Sequence, residues 1–175
     1  MNSERKIQEI ATLLGIDGER ARIALGIYSA SYMKVMEALQ SVSTYDQADD
    51  VWRSTKDGSE EERLALRKAI SLCSTAHDAM DIFNYAHSGT PEEKLAWEKW
   101  DELSFVEVRD ADSYGAVKWA YNRAPDCGKA RDLAFQRLLV MSTSLDQVLE
   151  VYRAAPHLGE VETLAIHRLA ELLPD

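Results

Sequence analysis

A register of 31 residues runs through the chain from Thr44 onward and constrains its fold more than any other feature. Segments Thr44–Cys73, Thr75–Ser104, Ser113–Ser142 and Ser144–Leu173 place matching residue classes in matching columns. Ala48, Ala79, Val117 and Val148 share one column, and Trp52, Phe83, Tyr121 and Tyr152 share another. Further on come Leu64, Leu95, Leu133 and Leu164, followed at once by Ala65, Ala96, Ala134 and Ala165. A fixed period in this range is the signature of small units that bury their apolar faces only by stacking on their neighbours.

Each unit reads as two helices. In the first, Tyr45, Ala48, Val51, Trp52 and Thr55 fall on one helical face. The second opens on capping chemistry: Ser59 precedes Glu62 by three residues, and Thr90-Pro91-Glu92-Glu93 places a cap, an N1 proline and two acids at the positive end of the helix dipole. Between them lie the turns Lys56-Asp57-Gly58, His87-Ser88-Gly89, Ala124-Pro125-Asp126-Cys127-Gly128 and Ala155-Pro156-His157-Leu158-Gly159. This pattern resembles the helical-hairpin solenoids of the HEAT and tetratricopeptide kind. The resemblance implies an all-α fold in which residues 42–175 form a right-handed array of four antiparallel helical hairpins, an α-solenoid.

One step breaks the register. Leu95 and Leu133 lie 38 positions apart, so seven residues are added around Ser104–Asp110. Seven residues make about two helical turns. Phe105, Val106 and Val108 among them are apolar, which predicts that they cover a seam.

Residues 1–41 fall outside the register and predict three short helices, carrying Ile7, Ile10, Ala11 and Leu14, then Ala21, Ala24 and Leu25, then Tyr32, Val35, Met36 and Leu39. The Leu14-Gly15-Ile16 turn after the first of these, with the spacing of the other apolar residues, resembles the ubiquitin-associated (UBA) three-helix fold. That resemblance implies an N-terminal three-helix bundle, and implies partner contacts at Leu14, Gly15, Ile16 and Leu39. Two roles stay open for it: binding ubiquitin, or capping the first hairpin.

The formal net charge of −10 argues against nucleic acid as a partner, because phosphate binding needs clustered Lys and Arg. It favours basic partners. No stretch has the length and apolarity of a signal peptide or membrane span, so a cytoplasmic protein without membrane contact is expected. Cys73 and Cys127 make no metal spacing and are expected to be reduced.

Catalytic motifs do not emerge. His77, His87, His157 and His167 form no His-x-x-x-His pair, and there is no glycine-rich phosphate loop and no Gly-x-Ser-x-Gly. The expectation is therefore a non-enzyme without cofactor or metal. Lys68, Lys99, Arg137 and Arg168 occupy one column in all four units. They either line a surface for an acidic ligand or serve the fold, with their stems along the core and their heads near acids or a helix end. The acids Asp50, Asp81 and Glu150 share a column in which the third unit has Trp119, so pairing of the two columns predicts Trp119 against Arg137 or Lys99. Trp97 and Trp100 share columns with apolar residues and are expected in the core. Trp119, with the added residues before it that include Phe105, is the predicted specialised patch. Ile166, Ala170 and Leu173 keep the last helix apolar, which predicts a homodimer contact. Taken as one reading, these features predict a non-catalytic protein-binding module. The rivals are an enzyme or small-molecule binder with a pocket near residues 104–123, and a purely structural homodimer.

Overall fold

The computed structural model describes residues 3–155 and 159–173, and every regular element in them is an α-helix. His157 and the centre of its turn lie outside the described residues. The helices are α1 (Ser3–Leu14), α2 (Gly18–Ala24), α3 (Ala30–Gln40), α4 (Tyr45–Arg53), α5 (Glu60–Leu72), α6 (Ala76–Tyr85), α7 (Pro91–Asp110), α8 (Tyr114–Arg123), α9 (Lys129–Met141), α10 (Leu145–Ala154) and α11 (Gly159–Leu172). Each of the four aligned segments thus holds two helices. The chain divides into two compact units. One runs to Leu72 and includes Ala86–Glu92, and the other holds Cys73–Tyr85 and the chain from Glu93 on.

Hydroxyl caps explain why the first helix of each segment starts where it does. Thr44 accepts from Gln47 N while the Gln47 side chain accepts from Thr44 N, a complete capping box. Thr75 and Asp78 make the same reciprocal pair. Ser113 and Ser144 accept from Ala116 N and Gln147 N. Satisfying one of four orphan N–H groups in this way stabilises each helix by about 1 kcal/mol. Ser59 accepts from Glu62 N at 3.1 Å, but the Glu62 carboxylate passes over the capping residue and takes Gly58 N at 2.7 Å.

Within the first unit, α4 packs along α5. The three helices expected in residues 1–41 are present. Ile7, Ala11 and Ala21 of α1 and α2 form a small core, with Ile10 and Ile16 against it. α3 packs on α5 and α4. Tyr32 and Leu39 are its buried side chains.

In the second unit, α8 packs along α9, α10 along α11, and α9 touches both α10 and α11. Phe83 of α6 meets Trp100 of α7 with ring centroids 5.5 Å apart. The core gathers Val108, Val117, Phe135, Leu138, Leu139, Val148 and Val151, and burying a side chain such as Phe135 contributes about 1.5–3 kcal/mol.

The two small-residue columns are the innermost. Ala48, Ala79, Val117 and Val148, like Ala65, Ala96, Ala134 and Ala165, are all fully buried. Small side chains at these positions let paired helices approach closely. The preceding leucine column lies further out, with Leu95 and Leu164 exposed and Leu64 and Leu133 half-buried.

The seven added residues lengthen one helix. α7 has 20 residues where α5 and α9 have 13. Val108 enters the core as expected, but Phe105 and Val106 on the same extra turns remain exposed.

Candidate functional site

Two ridges at i, i+4 spacing run down one side of α7: Trp97, Asp101 and Phe105, and beside them Glu98, Glu102 and Val106. With Lys129 from the start of α9 they line a groove of about 640 Å³. Trp97 is half-buried and lines this groove, so it is not the core residue its column implied. Trp100 is held on the inner side, donating its indole N–H to Arg123 O at 2.9 Å. Of the residues expected at the specialised patch, Phe105 belongs to the groove. Trp119 does not.

The floor of the groove rests on an exchange between two positions. Asp101 is buried, and its two carboxylate oxygens accept from Lys129 N at 3.1 Å and Ala130 N at 3.0 Å. The residue at the N-cap of α9 is Gly128, which has no side chain to offer. Asp101 therefore caps α9 from another helix and fixes the angle between the groove's two walls. The glycine is a spatial requirement, because a Cβ at 128 would overlap Asp101 Oδ1 and stand 2.8 Å from its Cγ and 3.2 Å from Pro125 Cγ. Sequence reasoning missed this pair, yet a signal exists. Asp101 stands in a column otherwise made of Ile70, Leu139 and Ala170, and Gly128 in a column that begins Ser59 and Thr90.

Two members of the basic column, Arg137 and Arg168, serve the fold, through partners other than the acids proposed for them. Arg137 of α9 donates to the last carbonyls of α7, Val108 O at 2.7 Å, Ala111 O at 2.6 Å and Arg109 O. Arg168 of α11 donates twice to Ser142 O, the C-cap of α9, at 3.0 and 2.6 Å. Each arginine thus satisfies orphan carbonyls at the negative end of the second helix of the segment before it. Lys99 pairs with Glu102 at 3.0 Å. Lys68 borders a shallow depression with Met36, Leu39, Gln40, Leu64 and Arg67.

Two acids of the other column pair elsewhere. Asp81 meets His77 at 3.7 Å, and Glu150 meets Lys118 at 2.6 Å, a bond that raises the lysine's pKa above its ordinary value. Trp119, 56% exposed, has neither Arg137 nor Lys99 over its ring but Arg123, four residues on along α8, at 4.5 Å from the ring centre. The geometry is the local i, i+4 one, which column logic cannot foresee because Arg123 lies outside both columns.

The residues carried over from the ubiquitin-associated resemblance divide. Leu14 is exposed, Gly15 has the positive φ of 63° that its turn requires, Ile16 packs on the core of α1 and α2, and Leu39 is buried. Neither cysteine forms a disulfide. Burial pushes the Cys73 thiol up to about 12, opposed by nearby Lys99, while Cys127 is exposed. Among the described residues no helix is long and apolar enough to cross a membrane.

No protein-family model, curated protein or solved structure matches this chain.

Proposed function

We propose that this chain is a non-catalytic protein-binding module of the helical-hairpin solenoid kind, whose groove on α7 receives an apolar peptide segment flanked by Lys or Arg. The observation that carries this reading is the exposure of Phe105 and Val106 beside Trp97, on two helical turns that α5 and α9 lack. Aromatic and aliphatic side chains grouped in a concave patch are the usual anchor of an interface. Glu98 and Glu102 rim it, and the chain's net charge of −10 adds a long-range attraction for a basic partner. Arg137 and Arg168 are engaged with carbonyls, which removes two members of the cationic ladder that an acidic ligand would need.

A peptide library displayed on phage and selected on the purified chain tests this. Enrichment of sequences with apolar anchors next to Lys or Arg is expected, with binding lost in Phe105→Glu. Selected peptides that bind Phe105→Glu equally well would sink the proposal.

Self-association is a second reading, favoured by one observation. Ile166 is 59% exposed although Leu66 and Phe135 in its column are 2% exposed, and Leu173, two turns further along the same side of α11, is exposed with it. An apolar face of that kind fits a twofold contact between copies. Sedimentation showing only monomer at high concentration would remove it.

A further inference from the structure

Three side chains from two hairpins converge in the first unit. His87 Nε2, from the turn before α7, stands 2.9 Å from Asp57 Oδ1 and 3.5 Å from Glu62 Oε2, and the three potential ligand atoms all lie within 4.8 Å of one another. A tetrahedral ion with bonds of about 2.0–2.1 Å sets its ligand atoms about 3.3 Å apart. The measured spacings bracket that edge.

The carboxylate at the centre is held in place. Glu62 is buried, Oε1 accepting the Trp52 indole N–H at 3.3 Å and Oε2 accepting Gly58 N at 2.7 Å. Such outer partners fix a ligand's orientation. The other two ligands are accessible, Asp57 86% exposed and His87 about half, so an ion has a way in.

The third segment shows what is unusual about this arrangement. Asp126 and Arg131 occupy the positions of Asp57 and Glu62 there, and they pair with each other as acid and base. In the first segment both positions are acidic, so the hairpin supplies no base of its own to pair with them. Two carboxylates with a neutral imidazole leave a charge of −2, which a divalent cation cancels, and the mixed nitrogen and oxygen donor set suits a borderline ion better than calcium or magnesium. We propose that Asp57, Glu62 and His87 bind one divalent transition-metal ion of the zinc class, with water completing its coordination, joining the α4–α5 turn to the turn before α7. Sequence spacing hid the site, because its ligands belong to two different hairpins.

Competition with a chromophoric zinc chelator tests it on the full chain. Wild type is expected to take up one Zn²⁺ per chain, with affinity falling at least tenfold in His87→Gln and in Asp57→Asn and unchanged in His77→Gln. Both informative positions are exposed enough that the fold survives, as circular dichroism would verify. The Trp52 indole N–H resonance, assigned with Trp52→Phe, is expected to shift on adding Zn²⁺ to wild type and not to His87→Gln. Equal zinc affinity in wild type and both ligand variants, or an unmoved Trp52 resonance at saturating zinc, overturns the proposal.

Discussion

Replacing Gly128 by alanine should destabilise the protein although nothing about the backbone there forbids a side chain. Its φ is −89°, so in open space the substitution would restrict the unfolded chain and stabilise by about 0.4–1 kcal/mol. The space is not open. The new methyl group would displace the Asp101 carboxylate from Lys129 N and Ala130 N. Two charge-assisted bonds at a helix N-terminus are at stake, each contributing about 1.5–3 kcal/mol, and part of that is recovered if the carboxylate finds water in the groove. A net loss of about 2–4 kcal/mol follows for Gly128→Ala. Asp101→Ala should cost a similar amount. The double variant decides the matter: with the carboxylate gone, adding Gly128→Ala should cost nothing or restore up to about 1 kcal/mol. Urea unfolding followed by tryptophan fluorescence measures all three. A penalty below about 0.5 kcal/mol for Gly128→Ala, or one that persists undiminished without Asp101, would refute the steric and capping argument together.

The remaining predictions concern single features. Tyr121, packed on Phe135 at 5.0 Å and covered by Arg131, should lose about 3 kcal/mol on mutation to alanine, and half-buried Tyr152 somewhat less; denaturation that shows neither above about 1 kcal/mol would mean the aromatic column contributes little. Arg137→Met should cost about 1–3 kcal/mol by orphaning the carbonyls at the end of α7, with Arg137→Lys recovering only part, which hydrogen exchange at residues 108–111 would localise. Cys127 should react with a thiol reagent in the native protein while Cys73 reacts only on unfolding. Because the folded Cys73 pKa is raised from 9.0 to about 12, its contribution to stability is complete below about pH 9 and is lost as pH climbs toward 12. A Cys73→Ala variant with an identical alkaline profile would contradict that sign.

What could be read from the residues was the part governed by local periodicity. Columns of Ala and Val recur at positions that are fully buried in all four segments, and the caps at Thr44, Thr75, Ser113 and Ser144 recur because each first helix must satisfy its own first N–H groups. The added heptad was legible as helix for the same reason. Partners across elements were not. A shared column groups Lys68, Lys99, Arg137 and Arg168, but does not say which of them, here Arg137 and Arg168, reach the carbonyls at a helix end. Likewise α3 has the composition of a third bundle helix, and only its packing on α4 and α5 shows where its buried face goes. Asp101 and Gly128 show the opposite case, in which each residue breaks its column and the two departures explain each other only in space.

The arginine caps also set an order of events during synthesis. The end of α9 is closed by Arg168, and the end of α7 by Arg137, so each helix is finished by residues that the ribosome adds about 26 to 29 positions later. Until α11 has emerged, the Ser142 carbonyl at the C-cap of α9 faces water. A nascent chain halted between residues 142 and 168 should therefore hold α8 and α9 as a hairpin with a loose end, and gain its final protection in that hairpin only when Arg168 docks.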